Sequence, residues 1–225
     1  MWDQRDPRLM ATVIAPYTTY LGWNRNEERL MTFIFAKNQK GDVVAVNENN
    51  GFMRNNKGGW ETYFWRKFVP EGDWNGAITN REHTPVNFPI IRYADVLLMY
   101  AEAVWRAHEV PSPEALEYVN QVRRRGFGVD IKTPNEAVDL KMMDGDKFAE
   151  ALLAERSFEL CFEGQRWYDL VRFGKLEEGV KKLAKYSSVA TSQAQNFQPK
   201  HVIFPIPQDV IDASNGKIEQ NPLWK

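Results

Sequence analysis

Cysteine is almost absent from this chain. Cys161 is the only one in 225 residues, so no internal disulfide can staple the fold. Histidine is scarce as well. His83, His108 and His201 lie far apart and share no ligand-type spacing, so no metal site is expected, and no cofactor either. No apolar run reaches the roughly 18 residues that would mark a membrane-spanning helix. Neither sign of charge prevails: 29 basic residues face 30 acidic ones, which leaves no electrostatic footprint for nucleic acid. The opening MWDQRDPRLM is charged and does not read as a signal peptide.

What is present is an ordinary globular composition with many aromatics, among them eight tryptophans and thirteen phenylalanines. The length suits one domain or two small ones. Residues 1–87 read as loop-rich and aromatic. Leu9 to Ala15 is expected to be extended. Met31–Ala36 and Val43–Val46 are expected as short strands around Lys40-Gly41-Asp42, and Trp60–Val69 as another. The Asn- and Gly-rich stretch 47–59 and the stretch 70–85 read as loops.

From Phe88 the pattern becomes helical. One helix is expected over residues 92–109, with Tyr93, Leu97, Tyr100 and Val104 as its apolar stripe and Arg92, Asp95, Glu102, Arg106 and Glu109 as its polar one. Ser112 caps a second helix, Pro113 takes its first position, Ala115, Val119 and Val122 face inward, and Gly126 stops it. Arg123 to Arg125 reads as a basic last turn at the negative end of that helix. Together the pair has the size of a tetratricopeptide-type hairpin, in one convincing copy. Thr133–Gly145 reads as linker, with Asp144 or Asp146 capping the next helix. Past Gly174, a charged helix over 175–185 is expected, then a loop to Lys200. An extended segment over 201–204 leads to Pro205-Ile206-Pro207, and a short helix runs from Gln208.

The stretch ERSFELCFEGQRWYDLVR, Glu155–Arg172, concentrates the chemistry. Glu155, Glu159 and Glu163 fall four apart and form one acidic stripe. Ala151, Ala154, Phe158, Cys161 and Phe162 form an apolar face beside it. Gly164 supplies the break, and Trp167, Leu170 and Val171 begin the next face. The stripe is either a buried charge network or a site. Paired carboxylates can act as acid and base in sugar hydrolysis, typically from facing positions about 5 to 9.5 Å apart. Stripe neighbours on one helix point the same way instead.

Aromatics set among Asn, Asp and Arg suit the apolar faces and polar hydroxyls of sugar rings. Trp23 with Asn24 and Asn26, Trp60, and Trp74 with Asp73 and Asn75 fit that description, and we take Trp23, Asn24, Trp60 and Trp74 as candidate ligand-binding residues. The same side chains would serve equally as satellite core beneath the loops.

Several linked motifs stand in order: DPRL (Asp6–Leu9), FWRKFV (Phe64–Val69), RYADVLLMYAEA (Arg92–Ala103), VNQVRRRG (Val119–Gly126), LLAERSFELCFEGQRWYDLVRFG (Leu152–Gly174), FPIP (Phe204–Pro207) and QNP (Gln220–Pro222). Together they resemble the C-terminal part of the SusD/RagB family, across nearly the whole chain. The resemblance implies a mainly α fold with tetratricopeptide-type hairpins, long irregular loops and a few short strands. It implies a non-catalytic, surface-exposed lipoprotein of the outer membrane that binds glycan, or in some branches peptide, and presents it to a TonB-dependent transporter. It implies structural roles for Arg92, Asp95, Glu155, Arg156, Glu163, Arg166 and Asp169. The family's ligand residues follow no fixed motif.

The chain departs from that pattern in three ways. The N-terminal half, with most helical repeats, is expected to be a missing partner. No lipoprotein signal or lipid-bearing cysteine is present, and Cys161 lies mid-helix. The end reads QNPLW, where the family usually has Gly after Pro. An apolar patch is therefore expected on the Arg92–Arg125 hairpin. Two other readings stand beside glycan delivery: a transporter-docking scaffold with its ligand site elsewhere, and a glycoside hydrolase using Glu155 and Glu159.

Overall fold

The computed structural model describes residues 5–14, 19–21, 28–30, 33–37, 43–46, 64–71, 86–184 and 188–225. The chain divides into two compact units, Met1–Arg166 and Trp167–Lys225.

The first unit opens with α1 (Arg8–Thr12), where an extended segment was expected. The Asp6 carboxylate accepts the Arg8 amide at 3.0 Å and Pro7 presets the backbone, so the chain turns into a helix before Val13. Only Val13–Ile14 is strand (β1). β2 (Thr19–Leu21) and β3 (Glu28–Leu30) form an antiparallel pair in a region expected to be loop. β4 (Phe33–Lys37) pairs antiparallel with β5 (Val43–Val46), close to the expected strands, with an irregularity between Phe33 and Ala36. The strand expected over 60–69 is confined, among the described residues, to β6 (Phe64–Trp65), which pairs with β1. The chain then turns because the Arg66 amide donates to Thr12 O at 2.8 Å and the Val69 amide to Arg66 O at 2.9 Å.

Three helices build the core. These are α2 (Tyr93–His108), α3 (Pro113–Gly126) and α4 (Gly145–Glu159). The Ser112 hydroxyl accepts from the Ala115 amide at 3.1 Å and the Asp144 carboxylate from the Lys147 amide at 2.9 Å, so both cap positions follow the sequence logic. Leu97, Leu98 and Ala101 meet Ala115, Leu116, Val119 and Val122, with Phe148, Leu152 and Leu153 closing the third side.

Two expected faces are wrong, for one reason. On α2 the buried arc is Asp95, Leu97, Leu98, Ala101 and Glu102, whereas Tyr93 is 74% exposed. On α4 the buried set includes Glu155, Arg156 and Glu159, while Phe158 and Phe162 are exposed. In each case ion pairs, of Arg156 with Asp95 and of Arg8, Arg92 and Arg123 with Glu155 and Glu159, let charged residues take buried positions.

α3 ends with Gly126 as its last helical residue, one position past the expected end at Arg125, and the left-handed residue is Gly128 (φ +70°). α4 ends at Glu159, before Gly164, and the turn that follows uses left-handed backbone at both Phe162 and Gly164.

The second unit takes up α5 (Arg166–Arg172), α6 (Leu176–Ala184), α7 (Ser188–Gln195) and α8 (Gln208–Ala213), with short 3-10 turns at Pro199–Val202 and Pro222–Trp224. α7 replaces an expected loop. Its eight residues are too few to hold a helix in isolation, so packing along α6 decides its state. The Pro199–Val202 turn likewise replaces part of an expected extended segment, which begins only at Ile203. Trp167 stacks on Phe204, with ring centroids 5.9 Å apart.

Candidate functional site

The acidic stripe of α4 and its extension, Glu163, is the chemical centre of the described first unit. Arg8 reaches it from α1, Lys67 from the turn after β6, Arg92 from the start of α2, and Arg123 and Arg125 from the end of α3. The Arg8 guanidinium donates to Glu155 Oε1 at 2.7 Å and to Glu159 Oε2 at 3.2 Å, while its other edge grips Asp6 at 2.6 and 2.9 Å. Arg123 takes Glu155 Oε2 at 2.9 Å, and Arg125 pairs with Glu159 Oε2. Arg92 bridges Glu159 Oε1 at 2.8 Å and both oxygens of Glu163 at 2.7 and 2.9 Å. Lys67 pairs with Glu163 and donates to the carbonyls of Glu159, at 2.8 Å, and Cys161, at 3.2 Å. Those carbonyls belong to the frayed end of α4, so Lys67 also satisfies groups the helix leaves open.

The electrostatics follow from the geometry. Burial alone would push the carboxyls of Asp6 and Glu163 up, but hydrogen bonds from Arg8, and from Arg92 and Lys67, hold both below the usual range. Arg92 is held protonated more firmly than a free guanidinium by its hydrogen bond to Glu163. Burial pushes the Cys161 thiol up.

Arg123 to Arg125 therefore do more than face the negative end of a helix. The outer two join the α4 network. Arg124, 1% exposed, pairs with Glu117 at 2.8 Å and with Asp139, which ties the 127–144 connection to α3. Arg156 pairs with Asp95 at 2.8 Å, and Arg166 donates to Leu153 O at 3.0 Å. The motif residues are thus engaged in holding elements together. Glu155 and Glu159 have side chains 0% and 3% exposed, and each of their carboxylate oxygens accepts from an arginine. They point side by side into this lattice and have no substrate-facing partner, unlike the facing pair that sugar hydrolysis requires.

The candidate ligand residues Trp23, Asn24, Trp60 and Trp74 lie outside the described residues. Within them, a cleft of about 630 Å³ opens where the end of α2 meets the start of α4, lined by Trp105, Arg106, Glu109, Asp144, Gly145 and Asp146. The Arg106 guanidinium lies 5.0 Å from the Trp105 ring centre. Trp105 sits inside α2 and not among the loop aromatics that mark the sequence candidates. Among the described residues no group of His, Cys, Asp and Glu could hold a metal ion, and no helix is long and apolar enough to cross a membrane.

The second unit explains its own two motifs. Gln220 accepts the Ile206 amide at 2.9 Å and donates to the Ile206 carbonyl at 2.8 Å. Asn221 donates to Phe204 O at 2.7 Å, and the Trp224 indole to Ile203 O at 2.8 Å. The tail is a clasp on the proline segment, which has few amides of its own to fix it.

Compared with known proteins, residues 1–224 match the family model described as the SusD family, SusD_RagB. The chain belongs to the SusD/RagB family. Among its relatives, SusD-like protein P25 of Formosa agariphila is 36% identical over 151 residues, 66% of this chain and 27% of that protein. SusD-like protein P38 of the same organism is 41% identical over 95 residues, 41% of this chain and 18% of that protein. A SusD homolog from Bacteroides thetaiotaomicron is similar in structure, with a TM-score of 0.56 and 36% identity over 64% of this chain and 28% of that one. A SusD superfamily protein from Bacteroides vulgatus matches 97% of this chain and 40% of that one with a TM-score of 0.59; at 24% identity it speaks for the fold alone. This SusD/RagB chain thus spans roughly a quarter of the length of P25. Its mainly α architecture is the family's.

Proposed function

We propose that this chain is part of a glycan-binding protein of an outer-membrane uptake system, which hands oligosaccharide to a TonB-dependent transporter. In this reading the protein faces the cell exterior, is lipid-anchored, and works together with further helical sequence of its own. Residues 1–87 carry the ligand platforms, with Trp23, Asn24, Trp60 and Trp74 as contacts, and the helical part fixes their supports. The observation that carries the reading is the SusD/RagB match over residues 1–224. The α4 lattice supports binding without catalysis, because it commits the buried Glu155, Glu159 and Glu163 to ion pairs.

The test is electrophoresis of the protein through gels cast with a panel of polysaccharides, with new sugar ends assayed in parallel. Retardation by a glycan without new ends is expected. Trp23→Ala, Trp60→Ala and Trp74→Ala should each reduce it. New sugar ends in the parallel assay would establish a hydrolase instead.

The exposed apolar edge Val202–Phe204 favours a second reading as a transporter-docking scaffold. Transporter binding without retardation by any glycan would select it.

A further inference from the structure

The last turn of α2 and the first turn of α4 wall the cleft of about 630 Å³ around Trp105. A β-carbon on Gly145 would fall 1.9 Å from the Glu109 carbonyl oxygen and 3.2 Å from Nε1 of Trp105, so glycine is what lets α4 start this close to the indole. Glu109 ends α2 in left-handed backbone, φ +60°, with its amide donating to Trp105 O at 2.6 Å. Trp105 is half-buried, and around it stand Arg106, Glu109, Asp144 and Asp146, all exposed. One flat apolar side chain among several polar ones, in a cleft of this size, is the general make-up of a small-ligand site.

The charges of the cleft are not balanced. Arg106 is already committed: its guanidinium donates to Glu102 at 2.9 Å and lies 5.0 Å from the Trp105 ring centre. Asp144 is committed as well, accepting the Lys147 amide at 2.9 Å and pairing with Lys147 Nζ at 2.8 Å. Glu109 and Asp146 have no cationic partner among the described residues. Two uncompensated carboxylates therefore line the cleft with the indole, and an ionised carboxylate only accepts hydrogen bonds. They suit hydroxyl groups, which donate to them, and they repel a further anion. Donors are present too. The first amides of a helix have no intrahelical acceptor, and Asp144 takes that of Lys147, which leaves those of Gly145 and Asp146 to an incoming oxygen.

We infer that this cleft is a carbohydrate subsite for a sugar ring without acidic substituents. The ring lays an apolar C–H face against Trp105. Its hydroxyls donate to Glu109 and Asp146, and one of its oxygens accepts from the first amides of α4. Uronic and sulfated sugars are refused, because their anions would meet the two unpaired carboxylates. Both walls belong to core helices, so the subsite is formed before ligand arrives and binding has no loop to order. The inference rests on the proposed reading for the ligand being a glycan, and goes beyond it in two respects. It assigns a subsite to α2 and α4 and not to residues 1–87, and it names the charge class of the sugar.

The test follows the indole N–H signals of the protein, isotope-labelled at tryptophan, by nuclear magnetic resonance at low ionic strength. Trp105→Phe identifies the Trp105 signal by its loss. The protein is titrated with the methyl glycosides of glucose, galactose, mannose and xylose, and with those of glucuronate and galacturonate. A saturable shift of the Trp105 signal by at least one uncharged glycoside is expected, with both acidic ones binding about fivefold more weakly or worse, the size of one like-charge contact in water. Glu109→Gln together with Asp146→Asn, at exposed positions outside the core, should bring the two classes of affinity together. Unchanged discrimination in that variant overturns the roles given to Glu109 and Asp146. Equal binding of acidic and uncharged glycosides by the natural sequence overturns the charge class. A Trp105 signal that no glycoside moves overturns the subsite. If gels cast with polysaccharide still retard the protein in that case, the glycan-binding reading survives alone; if they do not, both fall.

Discussion

A β-carbon on Gly126 would lie 2.6 Å from Nε of Arg8. The last turn of α3 and the α1 arginine that grips Glu155 and Glu159 thus occupy adjoining space with no methyl group to spare. Away from this contact, alanine would be the better helix former by about 1 kcal/mol. Here Gly126→Ala should destabilise the protein by about 1–3 kcal/mol, because Arg8 is held on both edges and cannot swing aside freely. Urea unfolding measures it. In an Arg8→Ala background the same substitution should be neutral or stabilising. Destabilisation of equal size in both backgrounds would show that the clash lies elsewhere.

Gly145 meets a harder neighbour. A β-carbon there would fall 1.9 Å from the backbone oxygen of Glu109, which cannot rotate away. Gly145→Ala should force the start of α4 off the end of α2, costing about 3 kcal/mol or more. Circular dichroism melts would register it as a large drop in melting temperature.

Glu159 binds Arg8, Arg92 and Arg125 from a buried position. Glu159→Gln leaves these guanidiniums short of countercharge and should cost about 3 kcal/mol. Glu177→Gln removes an exposed pair with Lys181, at 2.6 Å, and should leave the denaturation midpoint essentially unchanged. Similar losses from both would mean that the α4 lattice contributes no more than surface charge does.

Stability should fall in acid with a defined sign. Asp6 and Glu163 are held below their usual values of 3.8 and 4.5 by their cationic partners, and Asp139 below 3.8 by its hydrogen bond to Arg124. A carboxyl with a lowered folded-state pKa binds protons more readily when unfolded. Its contribution is therefore complete above the usual value and is lost as pH falls through the folded one. Free energies of unfolding should be level from about pH 7 to 5 and decline below about 4.5. Glu163→Gln should flatten part of that decline. An unchanged acid limb would remove Glu163 from the set.

The tail clasp predicts a local effect. Gln220→Ala strips both hydrogen bonds from the Ile206 backbone. Hydrogen exchange at the Ile206 amide should speed up by an order of magnitude or more, about 1.4 kcal/mol per factor of ten, while amides of α3 and α4 keep their protection. A uniform rise across the protein would instead mean that the clasp supports global stability.

Much of the helical plan was legible. Ser112 and Asp144 announced two caps, and the α2 and α3 ranges followed from spacing and from the Pro111–Pro113 break. The buried charge network was one of the two readings of the Glu155–Glu159–Glu163 stripe, but its partners were not legible, nor was the burial of Asp95, because these depend on Arg8, Arg92, Arg123 and Arg156. Those partners lie too far along the chain for a local window to pair them. α7 was missed because its stability comes from α6. The candidate ligand residues Trp23, Asn24, Trp60 and Trp74 came from composition alone, and Trp105 escaped the same criterion by lying in a helix.

Arg8 and Glu155 are separated by 147 residues. During synthesis, therefore, Arg8, Arg92, Arg123 and Arg125 leave the ribosome before Glu155, Glu159 and Glu163, with which they pair. Until α4 emerges, the nascent chain lacks these carboxylates, and the three-helix core has only two of its sides. A chain interrupted before Gly145 should thus remain a soluble-factor client instead of a stable half-fold, and the slow step in folding should be the late arrival of α4.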